Sequence, residues 1–136
     1  MTPHPLELSR LIGISVEEIE SSRISTARRV AETLGVTLIL KGAASVITDG
    51  VEVYINTTGS TALSKGGSGD VLAGLVTSLV ANSTNPVHAA ALGAYLHGLS
   101  GDALSCDLSD FGVIPSDLPC EIARTIKKIE QIKSND

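Results

Sequence analysis

Val36-Thr37-Leu38-Ile39-Leu40 is a β-branched, continuously apolar run bracketed by Gly35 and by Lys41-Gly42. A strand with one wet face alternates apolar and polar residues. An unbroken run predicts a central strand buried on both faces. Such a strand needs a layer of helix above it and another below, and the neighbouring sequence offers both. Thr2–Pro5 reads as an extended or turn segment, because each residue before a proline is pushed out of the α region. Leu6–Leu11 reads as a short helix ending near Gly13. Ser15 with Glu18 reads as a capping box, Val16–Ser21 and Ile24–Leu34 as helices, and Gly35 as the stop. Ser45–Thr48 and Val51–Asn56 read as two further strands joined at Asp49-Gly50, a strong hairpin signal. After a flexible loop to Gly69 come a helix over Gly69–Asn82 and a second from Pro86 to about Ser105. A loop over Asp107–Gly112 follows, then an amphipathic helix from Pro115 to Lys127-Lys128 and a frayed polar tail from Lys133 to Asp136.

The layers must pack almost without rings. Hydrophobic residues make up 43% of the 136, yet there is one Phe, two Tyr and no Trp. The core is therefore aliphatic, with Ala and Gly letting helices approach closely. Stacking platforms for nucleic-acid bases are lacking. A net charge of −5 with no basic stripe argues against nucleic acid or an anionic membrane as partner. The length suits one domain. Cys106 and Cys120 fall outside metal-type spacing and read as buried or idle thiols in a reducing compartment. No secretory pattern opens the chain and no apolar run is long enough to span a bilayer, so a soluble cytoplasmic protein is expected.

The chemistry concentrates in Gly66-Gly67-Ser68-Gly69-Asp70, set directly before Val71-Leu72-Ala73-Gly74. Glycines before a helix present unhindered N–H groups where the macrodipole is positive, which suits a phosphate. Asp70 in that anion-attracting place is a poor choice for binding alone. It makes sense as a base that takes a proton while the amides neutralise charge on a transferred phosphoryl group. An ordinary helix cap with an acid complementing the dipole is the simpler alternative. The segment is neither a P-loop, since no GK[ST] follows, nor a dinucleotide fingerprint. Lys41 and Gly42, with Ala43, Ala44 and Ser45, leave the end of the buried strand, where ligands of open α/β sheets collect. They offer a second phosphate handle, against the alternative of a solvated lysine at a turn. His4, held between two prolines, reads by itself as part of a stiff surface arm or as a ligand contact. His88 and His97 read as packed or solvated helix residues, and Asp102 as a packing or capping residue.

Taken together, Thr2-Pro3-His4-Pro5, Leu40-Lys41-Gly42-Ala43, Tyr54–Gly59, Gly66–Gly74 and Ala90–Gly98 resemble, in order, the ADP/ATP-dependent NAD(P)H-hydrate dehydratases of the ribokinase-like superfamily. The resemblance implies a three-layer α/β fold, the carboxyl-terminal half of a ribokinase-like domain, with residues 1–136 forming a single partial domain. It implies a lyase that restores the S form of hydrated NADH or NADPH while splitting ADP or ATP, with Mg2+ accompanying the nucleotide. On this footing Asp70 is the catalytic base and a substrate contact, and His4 a substrate contact. Lys41, Gly42, Ala43, Ala44 and Ser45 would bind the nucleotide, together with Gly66, Gly67, Ser68 and Gly69.

Three departures stand out. Leu6 replaces the glycine of the family's TPHPGE, and Gly59–Gly67 differs from its GNxGMATGG loop. Lys65 there could add to nucleotide binding. The chain also begins where the family's second half begins. That predicts a homo-oligomer or association with a missing N-terminal half to cover an exposed sheet edge. Two rival readings remain: a small-molecule alcohol kinase of the same superfamily, and a non-catalytic nucleotide-binding fragment or subunit of a split enzyme.

Overall fold

The computed structural model describes residues 1–133. Among the described residues the strands β1 (Leu38–Leu40), β2 (Ser45–Thr48) and β3 (Val53–Asn56) form one antiparallel sheet in the order β1-β2-β3. The helices are α1 (Pro5–Ile12), α2 (Val16–Ser21), α3 (Arg23–Leu34), α4 (Ser68–Ala81), α5 (Pro86–Gly112) and α6 (Leu118–Lys133). Leu38, Leu40 and Val46 pack into a cluster with Leu8, Ile19, Ala27, Val30 and Ala31. Ile39 and Ile47 face the other way, against Val87, Ala90 and Ala94 of α5. β1 and β2 are thus covered on both faces, giving three layers, while Tyr54 and Ile55 of β3 stay exposed. Each fully buried Leu or Ile contributes roughly 1.5–3 kcal/mol, so these two clusters carry much of the stability.

β1 is shorter than the apolar run because its first part finishes α3. Gly35 adopts φ +62° and the Val36 N–H bonds to Ala31 O at 3.0 Å. The N-terminal residues lie alongside β1 in parallel. The Ile39 N–H donates to Met1 O at 2.8 Å and the Lys41 N–H to Pro3 O at 2.9 Å, while the Met1 amine donates to Thr37 O at 2.7 Å. Pro3 has no N–H to contribute, which interrupts this ladder.

The hairpin differs from the expected two-residue turn. Thr48 pairs with Val53, leaving a loop over residues 49–52. Asp49 Oδ1 accepts from the N–H groups of Val51 and Glu52, both at 2.9 Å, and the Thr48 hydroxyl donates to Glu52 O at 2.6 Å. A side chain that captures two backbone donors outweighs the tighter turn.

The segment expected to be a flexible loop is folded against α5. Thr61–Leu63 forms a 3-10 turn capped by Ser60. Asp110 accepts from the hydroxyls of Ser60, Thr61 and Ser105, and Asp102 accepts from the Gly59 N–H at 2.9 Å. These hydroxyls, Ser105 first, hold the Asp110 carboxyl below its ordinary range. α5 also runs past Ser105 to Gly112, breaking helical geometry only at Ser109, where φ is +60°. The expected loop over Asp107–Gly112 is therefore mostly helical. α6 continues past Lys127-Lys128, and the expected frayed tail after Lys133 lies outside the described residues. Cys106 and Cys120 are exposed, not buried. No described helix is long and apolar enough to cross a membrane.

Glycines on α5 set how closely its neighbours approach. A Cβ on Gly98 would lie 2.0 Å from Thr58 Oγ1 and 2.7 Å from the Thr58 carbonyl group, and one on Gly101 would lie 2.7 Å from the Leu63 side chain. His97, between them, is only 6% exposed, and its Nε2 lies 3.1 Å from Ser68 O. A carbonyl only accepts, so Nε2 carries the proton and donates to the first turn of α4. Burial pushes the His97 imidazole below the ordinary histidine range, with the Ser68 bond opposing.

Two outcomes are expected. Gly98→Ala gains about 1 kcal/mol of helix propensity but drives backbone apart, at about 1–3 kcal/mol. Denaturant unfolding should show a net loss of stability. For His97, the folded midpoint lies below the unfolded one near 6.5, so the unfolded chain binds the proton more readily. Stability is fully present above about pH 6.5 and falls as pH drops towards the folded midpoint. Between pH 7 and 5 the wild type should lose stability more steeply than His97→Gln, whose carboxamide keeps a donor but does not titrate.

Candidate phosphate and substrate site

α4 begins at a glycine bend. Gly67 is its N-cap with φ +101°, a backbone shape that a side chain disfavours. The Ser68 N–H is used by Lys65 O at 3.2 Å, and the N–H groups of Asp70 and Val71 by Gly67 O. Among the described residues, the N–H groups of Gly66, Gly67 and Gly69 have no protein acceptor. Three amides and the positive end of α4 therefore remain for an anion. Asp70 is exposed in the first turn, and among the described residues its carboxylate has no hydrogen-bond or ion-pair partner. The Asp70 carboxylate is therefore not engaged in the fold's own hydrogen bonding.

Lys41 reaches this bend from the end of β1. A Cβ on Gly69 would lie 3.1 Å from Lys41 Nζ, a tight contact that places the ammonium against the bend. The lysine is also 3.5 Å from Glu7 Oε2. Glu7 in turn holds His4. The His4 N–H donates to Glu7 Oε2 at 2.6 Å, the Glu7 N–H donates to His4 Nδ1 at 3.1 Å, and His4 Nε2 lies 3.4 Å from Glu7 Oε1. His4 is the N-cap of α1. Its Nδ1 accepts from a backbone donor, so in the neutral ring Nε2 bears the proton. The His4 N–H and Lys41 together hold the Glu7 carboxyl below its ordinary range, the backbone bond being the larger cause.

Of the residues singled out in the sequence, the structure brings Lys41 and Gly69 into contact and links His4 to them through Glu7. Gly42, Ala43 and Ala44 are exposed, and Ser45 closes their loop, its hydroxyl donating to Gly42 O at 3.2 Å. Ser68 is buried under His97 and serves the bend through its backbone. Lys65 points elsewhere. Its ammonium donates to Asp110 O at 2.7 Å, to Phe111 O at 3.0 Å and to Val113 O, at the carboxyl end of α5. A cation there complements the helix dipole, so Lys65 is engaged in structure and is not offered to a ligand.

Sequence reasoning missed two residues. Glu7 was legible as the fourth position of a His-x-x-Glu capping box, but cap searches favour Ser, Thr, Asp and Asn over His. Arg23 donates through one guanidinium nitrogen to Leu40 O and Lys41 O, both at 3.1 Å, and to Ala44 O at 3.5 Å. It draws the carbonyls of the Lys41–Ala44 turn to one side. Nothing in the sequence announces that link. Of the remaining polar residues, His88 is exposed and 2.9 Å from Glu52 Oε2, while His97 is packed as expected.

Comparison with known proteins identifies the family. The NAD(P)H-hydrate dehydratase family matches residues 1–128. A bifunctional NAD(P)H-hydrate repair enzyme of Moorella thermoacetica is 38% identical over 133 residues, covering 96% of this chain and 25% of the relative. An ADP-dependent (S)-NAD(P)H-hydrate dehydratase of Neisseria meningitidis is 37% identical over 105 residues, covering 76% of this chain and 36% of the relative. The crystal structure of the ADP/ATP-dependent NAD(P)H-hydrate dehydratase from Bacillus subtilis, co-crystallised with ATP/Mg2+, superposes with a TM-score of 0.88 at 32% identity, over 93% of this chain and 46% of that one. The chain thus spans between a quarter and about half the length of these relatives. By sequence and by fold, it belongs to the NAD(P)H-hydrate dehydratase family.

Proposed function

We propose that the chain acts in nicotinamide nucleotide repair, dehydrating the S form of hydrated NADH or NADPH at the expense of ADP or ATP. The observation that carries this reading is the Lys41 ammonium against Gly69 at the start of α4. A cation at the positive end of a helix is unfavourable, and the half-exposed Glu7 carboxylate, 3.5 Å away and shared with His4, offsets only part of that cost. A terminal phosphate of a nucleotide supplies the remaining negative charge, with Gly66, Gly67 and Gly69 as amide donors and the Lys41–Ser45 turn beside it. Asp70, one residue beyond, then faces the hydroxyl that accepts the phosphoryl group and removes its proton. Phosphate is a better leaving group than hydroxide: it departs with the electrons of the C–O bond, a proton leaves the adjacent ring carbon to solvent, and the ring double bond is restored. His4, its ring held by Glu7, contacts the hydrated ring.

Magnesium accompanies the nucleotide in this proposal. The described residues contain no group of three or more His, Cys, Asp or Glu side chains able to hold a metal. Phosphate oxygens and water would hold the ion. Its chemistry would be neutralisation of phosphate charge.

A second reading is that the chain works as one part of a larger assembly, with a second copy or a separate N-terminal half, since it matches about half of the Bacillus subtilis relative. Size measurement in solution, and turnover with and without the missing half supplied as a separate chain, distinguish the two. Hydrated NADH regains nicotinamide absorbance only on dehydration, which also separates repair from transfer of phosphate to a stable alcohol.

Asp70→Asn should reduce turnover by at least about 100-fold, the scale of a lost general base, while ADP titrated by calorimetry binds with affinity within a few-fold of wild type. Lys41→Met should weaken ADP about 10-fold or more, as expected for a lost charge-assisted contact to phosphate. Wild-type ADP affinity in Lys41→Met would remove the basis of the reading.

A further inference from the structure

We propose that Glu7 is a positioning residue that couples the nucleotide side of the site to the substrate side, its one carboxylate being shared between Lys41 and His4. The inference rests on the function proposed above and concerns a residue that sequence reasoning did not single out. Three contacts define it. Glu7 Oε2 lies 3.5 Å from Lys41 Nζ and accepts from the His4 N–H at 2.6 Å, and Oε1 lies 3.4 Å from His4 Nε2. Lys41 meanwhile abuts Gly69. The charged groups facing the His4 ring are Glu7 on α1 and, through it, Lys41 at the end of β1, with Asp70 beyond Gly69 as the remaining charge of the site.

The competition is electrostatic. Lys41 sits between the Glu7 carboxylate and the amides at the start of α4. A phosphate on those amides is a stronger, more highly charged partner for the ammonium than a half-exposed carboxylate, whose pairing is worth little in water. The phosphate draws Lys41 towards Gly69. Glu7 then keeps only its His4 contacts, and its full charge falls on Nε2–H. Occupancy of the nucleotide side thereby sharpens the orientation of the ring that meets the substrate. The backbone bonds of the capping box stay in place throughout, so α1 acts as a fixed hinge for the exchange.

Glu7→Gln separates coupling from capping. Glutamine closes a capping box as glutamate does but carries no charge. The variant should unfold at the wild-type temperature. The ring nitrogen signals of His4, followed by NMR at fixed pH in nitrogen-labelled protein, report the coupling. Without nucleotide, Lys41→Met should shift the Nε2 signal in an otherwise wild-type chain and leave it unmoved in the Glu7→Gln background. ADP should shift the signal in the same direction as Lys41→Met, and should lose most of that effect in Glu7→Gln.

Equal responses to Lys41→Met in both backgrounds would overturn the coupling, as would a Glu7→Gln chain that unfolds well below wild type. An equal ADP response in both backgrounds would assign the effect to direct contact with the nucleotide and likewise overturn it. If the nucleotide-free shifts hold and calorimetry detects no ADP binding, Glu7 still links Lys41 to His4, and it is the nucleotide-dependent function that fails.

Discussion

Two parallel stretches of backbone hold the site together. The Lys41 N–H bonds to Pro3 O at 2.9 Å, one step beyond the bond from Ile39 to Met1. Residues following Pro3 and Leu40 therefore leave the ladder side by side, at the carboxyl end of both stretches. That is where open α/β sheets gather ligands, because chains diverging there leave room and expose backbone groups. His4 and Lys41, distant in sequence, become neighbours through this one register. A shift by one residue would turn Lys41 to the opposite face and separate it from both Glu7 and Gly69.

The third part of the site reaches the same place through α5. Its glycines let the Thr58 backbone and the Leu63 side chain approach closely, and His97 fixes the carbonyl of Ser68 in the first turn of α4. The bend Gly66–Gly69 is thus presented by a packed interface. Its amides are preorganised, which lowers the cost of ordering them around an anion. Ser60, Thr61 and Ser105 converge on Asp110 to hold the approach to that bend, in a region whose small polar residues suggested flexibility.

What was legible in the sequence was local. The unbroken run ending at Leu40 announced a doubly buried strand, and the glycines before Val71 announced a helix start with unengaged amides. Both signals lie within a few residues, where periodicity and backbone preference decide the outcome. The Asp49-Gly50 turn was misjudged because a side-chain acceptor competed with backbone twist, and composition does not rank the two. Arg23 escaped notice because its acceptors are backbone carbonyls, which every residue owns and no motif marks. Lys65 misled for a different reason. It is adjacent to the bend in sequence, but a long side chain goes where acceptors gather, and those are at the end of α5.

The contrast between the two lysines bears on function more than either does alone. Lys65 stands at a helix carboxyl end, among carbonyl oxygens, where a cation is stabilised by about 0.3–1 kcal/mol. Its placement is explained by folding, and no ligand is needed. Lys41 stands at a helix amino end, where the same dipole opposes it by a similar amount. Glu7 offsets part of that opposition as a nearby anion, but it is half exposed and shared with His4, so the balance is incomplete. An arrangement that folding alone does not favour persists because surrounding structure enforces it, and such positions cluster where ligands bind. In a chain of net charge −5, the amides of three glycines and one ammonium form a concentrated positive site. That is the ground for the phosphate proposed above: a negatively charged group there would satisfy both the amides and the lysine at once.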